Sequence, residues 1–177
     1  IAHWFGNEDV AVYNVCYKYF SIITMGFSLI VAPYWSAFTD AYIRKDFNWI
    51  RNVVKKTLKI WYFYAFIGIL MLLFSPFIYN LWIKDRLSIP PLLSVSMLIF
   101  SLLISYGSIF VMFINGTGKV KLQTYFSLFS PLIFLGFAFV FTHILKFGIS
   151  GIVIATIISN LYGPIIAPIQ FYKIIKR

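Results

Sequence analysis

Charged residues and cysteine are both scarce in this chain. Only 11% of its 177 residues are charged, whereas a soluble domain normally carries about a quarter. Because Cys16 is the only cysteine, an internal disulfide and a cysteine-based metal cluster are both excluded. The two histidines, His3 and His143, lie at opposite ends of the sequence without acidic neighbours. We therefore expect neither a metal site nor a bound cofactor.

Hydrophobic residues make up 61% of the chain, and this excess needs a solvent other than water. Lipid is that solvent, so the composition predicts an integral membrane protein. A formal net charge of +10 could suggest nucleic acid binding, but the basic residues lie between long apolar runs instead of forming one contiguous face. This distribution is typical of contact with anionic headgroups, so we expect membrane lipids and no nucleic acid as partners.

Stretches long enough to cross a bilayer occur five times. About 20 apolar residues span the hydrocarbon core as a helix, and the runs predict spans at about residues 10–35, 60–83, 91–114, 122–145 and 149–172. Only Lys18 interrupts the first of them. The short connections between spans favour antiparallel neighbours, so we expect one all-α polytopic bundle over residues 1–177. Because the chain begins at Ile1 instead of Met, we expect it to be a piece of a longer protein.

Residues 46–59 differ from the other connections because they are basic and amphipathic. Hydrophobic residues such as Trp49, Ile50 and Val53 recur at helical spacing, with most of the basic residues on other faces. The pattern predicts a helix lying in the membrane interface before it turns into the second span, with Asp46 or Asn48 as its cap. Its basic residues either anchor the topology or contact an anionic lipid substrate directly.

Basic residues are distributed unequally between the two sets of alternate connections. Eleven fall on one side of the membrane, in the connections after the first and third spans and after the last: Arg44, Lys45, Arg51, Lys55, Lys56, Lys59, Lys119, Lys121, Lys173, Lys176 and Arg177. The other side has Lys84, Arg86 and Lys146. The positive-inside rule therefore predicts that the chain starts outside and ends in the cytoplasm.

Polar side chains recur on one stripe of several spans, as expected where helices face each other or a wet cavity. The candidate substrate-binding residues are Asn14, Lys18, Ser21, Ser101, Ser105, Gln123, Ser127 and Asn160. The alternative is that the hydroxyls only hold helices together or bond to their own carbonyls. Lys18 either faces a cavity, where it would hold a phosphate or acidic sugar, or reaches the outer surface. No carboxylate lies in the most apolar stretches, which argues against ion coupling through this part.

The last span combines small residues with prolines. Gly151, Ala155, Ser159 and Gly163 recur every four residues, a spacing that permits close helix approach. Three prolines, Pro131, Pro164 and Pro168, fall inside predicted spans, where each can kink its helix for gating or for structure alone.

Residues 115–119 read Asn-Gly-Thr-Gly-Lys; they lack the spacing of a phosphate loop and predict a tight turn between helices.

With these residues in view, the chain resembles the C-terminal part of bacterial polysaccharide flippases, the exporters of O-antigen and capsule repeat units in the MATE-like MOP superfamily. The resemblance lies in Tyr17-Lys18-Tyr19-Phe20, in Pro33-Tyr34-Trp35-Ser36-Ala37-Phe38-Thr39-Asp40-Ala41-Tyr42, in Asp46 with Trp49-Ile50-Arg51, in Asn115-Gly116-Thr117-Gly118-Lys119 and in Phe147-Gly148-Ile149-Ser150-Gly151-Ile152. Together these loose motifs cover nearly the whole chain.

The resemblance implies the C-terminal lobe of a twelve-helix transporter in the inner (cytoplasmic) membrane. It implies alternating access to a cationic central cavity that accommodates a polyprenyl-pyrophosphate-linked oligosaccharide. It also implies a partner, the N-terminal lobe of the same protein, and no covalent catalysis. Two alternatives remain: a multidrug or organic-cation antiporter of the same superfamily, and a membrane-embedded glycosyl transferase or ligase. The second would need catalytic groups, and the acids form no evident pair.

Overall fold

The structure, a computed structural model, describes residues 5–83 and 87–176. These residues form seven α-helices, α1 to α7, and two single-turn π-helices, π1 and π2. In chain order they are α1 (Asn7–Val31), α2 (Tyr34–Ile43), α3 (Phe47–Ile83), α4 (Pro91–Thr117), α5 (Lys121–Phe139), π1 (Val140–Ile144), α6 (Ile149–Ser159), π2 (Tyr162–Ile166) and α7 (Ala167–Ile175). His3 and the basic residues Lys84, Arg86 and Arg177 lie outside the described residues.

Five helical segments are long and apolar enough to cross a membrane, which confirms the predicted all-α polytopic fold. They are α1 with α2 (Asn7–Ile43), α3, α4, α5 with π1 (Lys121–Ile144), and α6 through α7 (Ile149–Ile175). The chain is a multi-pass membrane protein.

The helix boundaries follow from local sequence. The Oδ1 atom of Asp46 accepts a hydrogen bond from the Trp49 N–H at 2.9 Å, so Asp46 caps α3 as predicted. Pro90 and Pro91 open α4, where a missing N–H is harmless, and Gly118 ends it in the left-handed conformation with φ 69°. The turn predicted at residues 115–119 is therefore present.

The stretch 46–59 differs from the prediction. It does not form a separate helix that turns near Lys59, because α3 continues unbroken from Phe47 to Ile83 over 37 residues, about 55 Å at 1.5 Å per residue. No glycine or proline occurs between Phe47 and Ile67, so nothing in the sequence interrupts the helix there.

Helix α4 lies at the centre of the bundle and contacts α1, α2, α3, α6, π2 and α7. The half of α4 that ends at Thr117 packs in an aromatic cluster. There the ring centroid of Phe113 lies 5.6 Å from that of Phe38 and 4.9 Å from that of Phe171. Such edge-to-face pairs contribute about 0.5–1.5 kcal/mol beyond the area they bury. The other half of α4 packs against a second cluster that includes Cys16, Phe20 and Val153.

One end of the bundle, which we call the basic end, collects the turns between α2 and α3 and between α4 and α5, and the end of α7. Its basic residues are Arg44, Lys45, Lys119, Lys121, Lys173 and Lys176. Hydrogen bonds join these elements: Thr39 Oγ1 donates to the Gly116 carbonyl at 2.9 Å, and Gln170 Nε2 donates to the Lys119 carbonyl at 2.8 Å. The antiparallel order expected from the charge distribution is thus present.

Close approaches occur at glycines of the last span, as the spacing of its small residues predicts, with Gly163 against α4 and Gly151 against π1. A Cβ atom on Gly107 of α4 would lie 2.6 Å from the backbone carbonyl carbon of Gly163. Gly151 approaches the Phe141 backbone in the same way, and Ala155 is fully buried beside Ala138. The last span therefore contacts α4 through backbone as well as side chains.

We expect Gly107→Ala to destabilise the protein by about 1–3 kcal/mol, because the added methyl group forces α4 away from the Gly163 backbone. Thermal unfolding in detergent measures the effect. Gly136→Ala is the matched control: its Cβ meets nothing within 4 Å, and alanine favours the helix by about 0.5–1 kcal/mol. Equal stability of the two variants would show that α4 does not approach Gly163 this closely.

Candidate functional site

The last span is broken in its middle, and this break forms one wall of the candidate site. Helix α6 ends at Ser159, and the chain continues through π2 before α7 begins. Pro164 has no N–H to donate, and the Gly163 N–H donates to the Asn160 carbonyl at 3.3 Å instead of to Ser159. The Ser159 carbonyl is consequently left without its helical donor.

A serine on the neighbouring helix supplies the missing donor. Ser130 Oγ on α5 donates to the Ser159 carbonyl at 2.9 Å. The hydrocarbon core of a bilayer has no water to donate a hydrogen bond to a free carbonyl. A side chain from another helix therefore usually replaces the missing backbone donor. This hydrogen bond joins α5 to the break.

A crevice of about 360 Å³ opens beside this hydrogen bond, between α4, α5 and the break. Its walls combine apolar residues, among them Ile104, Val111, Phe126 and Pro131, with uncharged polar ones. The polar residues are Ser108, Gln123, Ser127, Ser130, Ser159, Asn160 and Tyr162. No charged side chain lines the crevice in the described part of the chain.

Most of the hydroxyls in the crevice are already bonded to backbone. Ser127 Oγ donates to the Thr124 carbonyl at 2.9 Å, and Ser108 Oγ donates to the Ser105 carbonyl at 2.7 Å. Asn160 Nδ2 donates to the Thr156 carbonyl at 2.8 Å. These groups therefore present mainly acceptor oxygens to a ligand, as expected for serines on membrane helices.

Gln123 is the exception among the polar residues of the crevice. Its Oε1 atom is buried and has no hydrogen-bond partner among the described residues. A buried carbonyl left unpaired costs about 1–3 kcal/mol, so Gln123 is the polar residue of the crevice whose hydrogen bonding is incomplete.

The structure brings three of the eight predicted site residues together: Gln123, Ser127 and Asn160 line the crevice. Ser101 and Ser105 are buried in the contacts of α4 and do not line it. The predicted site residues did not include Ser108, Ser130, Ser159 or Tyr162, although the first three of these lie on the polar stripes of their spans. Pro164 was the available signal for Tyr162, because a proline inside a span marks a place where its helix can break.

The three predicted site residues of α1 lie elsewhere. Asn14 and Lys18 are exposed and Ser21 is half-buried, on a face of α1 turned away from its buried side, and Ser21 Oγ donates to the Lys18 carbonyl at 2.8 Å. Cys16 Sγ contacts Ser94 Oγ at 3.8 Å, and Ser94 belongs to the first turn of α4. Lys18 therefore lies near the end of the bundle opposite the basic end.

We expect Ser130→Ala to lower the free energy of unfolding by about 0.5–1.5 kcal/mol, because it leaves the Ser159 carbonyl without a donor. Ser127→Ala is the control one turn away, since its hydroxyl bonds only within α5, and it should stay within a few tenths of a kcal/mol of the parent protein. Denaturation in mixed micelles measures both. A Ser130 variant as stable as the Ser127 variant would contradict this role of the inter-helix bond.

Comparison with protein-family models, curated proteins and solved structures found no match to this chain. The likeness to the flippases therefore rests on the sequence motifs given above, and what the structure establishes is a multi-pass bundle with five apolar spans.

Proposed function

We propose that this chain is part of a carrier that moves a lipid-linked oligosaccharide across the bilayer by alternating access. The observation that carries the proposal is the crevice beside the broken last span, with the unpaired Gln123 carbonyl in its wall. Sugar hydroxyls are hydrogen-bond donors, which is the kind of partner that the Gln123 carbonyl lacks among the described residues.

The shape of the crevice supports a cargo with both polar and apolar parts. Its serine and amide oxygens can accept hydrogen bonds from sugar, while Phe126 and Tyr162 offer aromatic faces. The outer surface of α5 is apolar, with Leu128 70% and Leu132 67% exposed, so a lipid tail could remain in the bilayer beside it. Orientation with the basic end in the cytoplasm, in the inner membrane, stays a prediction of the charge distribution.

The antiporter alternative finds less support in the described residues. Their acids are Glu8, Asp9, Asp40 and Asp46, and each is exposed near an end of a helical span. Organic-cation transport coupled to ions would require an acid within the membrane. A transferase or ligase would require catalytic groups in the crevice, and those present are serines, amides and a tyrosine without a general base among them.

We expect Gln123→Leu and Asn160→Leu in the intact protein to lower export of lipid-linked oligosaccharide by about tenfold or more, because each removes a polar group whose hydrogen bonds help bind the cargo. Surface polysaccharide and accumulated lipid-linked precursor are measured in cells that depend on this protein. Thr124→Val is the control on the same helix, since Thr124 is exposed and bonds to the Val120 carbonyl.

Protein levels in the membrane are compared for each variant, so that a folding defect is not read as a transport defect. Normal export by both leucine variants would remove the crevice from the transport path.

A further inference from the structure

Gln170 of α7 joins two parts of the structure through hydrogen bonds to both atoms of its amide. Its Oε1 atom accepts a hydrogen bond from the Tyr162 hydroxyl at 3.0 Å, and its Nε2 atom donates to the Lys119 carbonyl at 2.8 Å. Tyr162 belongs to the break in the last span and lines the crevice, whereas Lys119 belongs to the turn between α4 and α5. The side chain of Gln170 therefore connects the wall of the crevice with the turn that leads into α5.

The two partners of Gln170 fix the orientation of its amide. The backbone carbonyl of Lys119 can only accept a hydrogen bond, so the amide NH2 group has to face the turn. The amide carbonyl then faces the break, where the Tyr162 hydroxyl donates to it. The hydroxyl of Tyr162 thus holds the amide in the one orientation in which it can donate to the turn.

The start of α5 lies beside the crevice at this end of the bundle. Helix α5 packs along α6 and π1, and α6 ends at Ser159, whose carbonyl meets Ser130 of α5. Residues 121–129 precede Ser130, so they extend past the end of α6 towards the basic end. In this stretch the Phe126 ring lies 5.6 Å from the Tyr162 ring. Side chains thus connect the start of α5 to the last span.

The burial of Gln123 shows that the crevice is covered near the basic end. Gln123 is the third residue of α5, about 3 Å along the helix axis from Lys121, which is exposed. The Oε1 atom of Gln123 is nevertheless buried. A polar atom so close to the end of a span is shielded from water only where neighbouring groups close over it. The start of α5 and the turn before it are therefore seated against the rest of the bundle.

We propose that Gln170 is a latch, which keeps the crevice covered at the basic end and whose release opens the crevice on that side. While both hydrogen bonds are made, the turn between α4 and α5 is tied to α7, and the first turns of α5 stay against Tyr162. The bond to Lys119 is exposed, so water can replace it when the latch opens. The inference rests on the proposed carrier function and deepens it, since a carrier closes its site towards one face at a time. Gln170 acts here as a positioning residue.

Sided thiol labelling tests the latch in the intact protein, reconstituted in sealed vesicles. Ser127→Cys reports on the crevice, and Lys176→Cys, exposed at the basic end, identifies the face on which that end lies. Gln170→Leu removes both hydrogen bonds. Gln170→Glu removes only the donor to the turn, because a carboxylate still accepts from Tyr162. We expect either variant to speed labelling of position 127 by a membrane-impermeant reagent about three- to tenfold from the basic-end face, the factor for one typical hydrogen bond, without change from the opposite face.

Two tyrosine variants complete the test. Tyr162→Phe should speed labelling from the basic-end face about twofold, because it keeps the bond from Gln170 to the turn but loses the hydroxyl that orients the amide. Tyr172→Phe is the matched control, since Tyr172 is an exposed tyrosine of α7, and it should leave the rate unchanged.

The latch is refuted if neither Gln170 variant speeds labelling from the basic-end face. It is also refuted if labelling speeds up equally from both faces, because that result indicates a loosened bundle. Labelling requires no transport, so the two proposals can fail separately. The expected labelling in a protein that exports no lipid-linked oligosaccharide would support the latch and contradict the carrier function.

Discussion

The lack of water in the hydrocarbon core constrains this bundle most severely at the break in its last span. There the Ser159 carbonyl has lost its helical donor, and Ser130 of α5 replaces it. The break is also pressed against α4, where the glycines at positions 107 and 163 allow backbone to meet backbone. A hydroxyl and a pair of glycines thus allow an irregular segment to persist inside a membrane protein, which is possible only where protein or a wet cavity surrounds it.

The break in the last span also determines where the crevice lies, because the break forms one of its walls. Helix α5 contacts α6 and π1, and its residues Ser127 and Ser130 line the crevice together with residues of α4. No charged side chain among the described residues lines the crevice, and Lys55, Lys56 and Lys59 of α3 are exposed outside it. A strongly basic chain thus has a crevice that no basic side chain lines among the residues that the structure describes.

Much of the fold could be predicted because its signals are local. Charge-free runs marked the five spans, Asp46 marked the start of α3, and Gly118 marked the turn after α4. The unbroken course of α3 was missed because basic residues suggested an interfacial segment, although no helix breaker separates them from the apolar run. Site residues were harder to predict. Periodicity shows that Asn14 and Gln123 each lie on a polar stripe, but only tertiary packing decides that one stripe faces outward and the other lines a crevice.

The central claim is that a wet path runs through this bundle at the crevice. Aqueous access to the crevice tests that claim most directly. Single cysteines replace Ser127 and, at nearly the same depth on the same helix, Leu128, which is 70% exposed on the outer face. The native Cys16 is buried and serves as the blank. With a charged, membrane-impermeant thiol reagent, we expect the cysteine at position 127 to react about tenfold faster or more, because only hydrated thiols ionise readily. Equal and negligible labelling at both positions would contradict a wet path through this bundle.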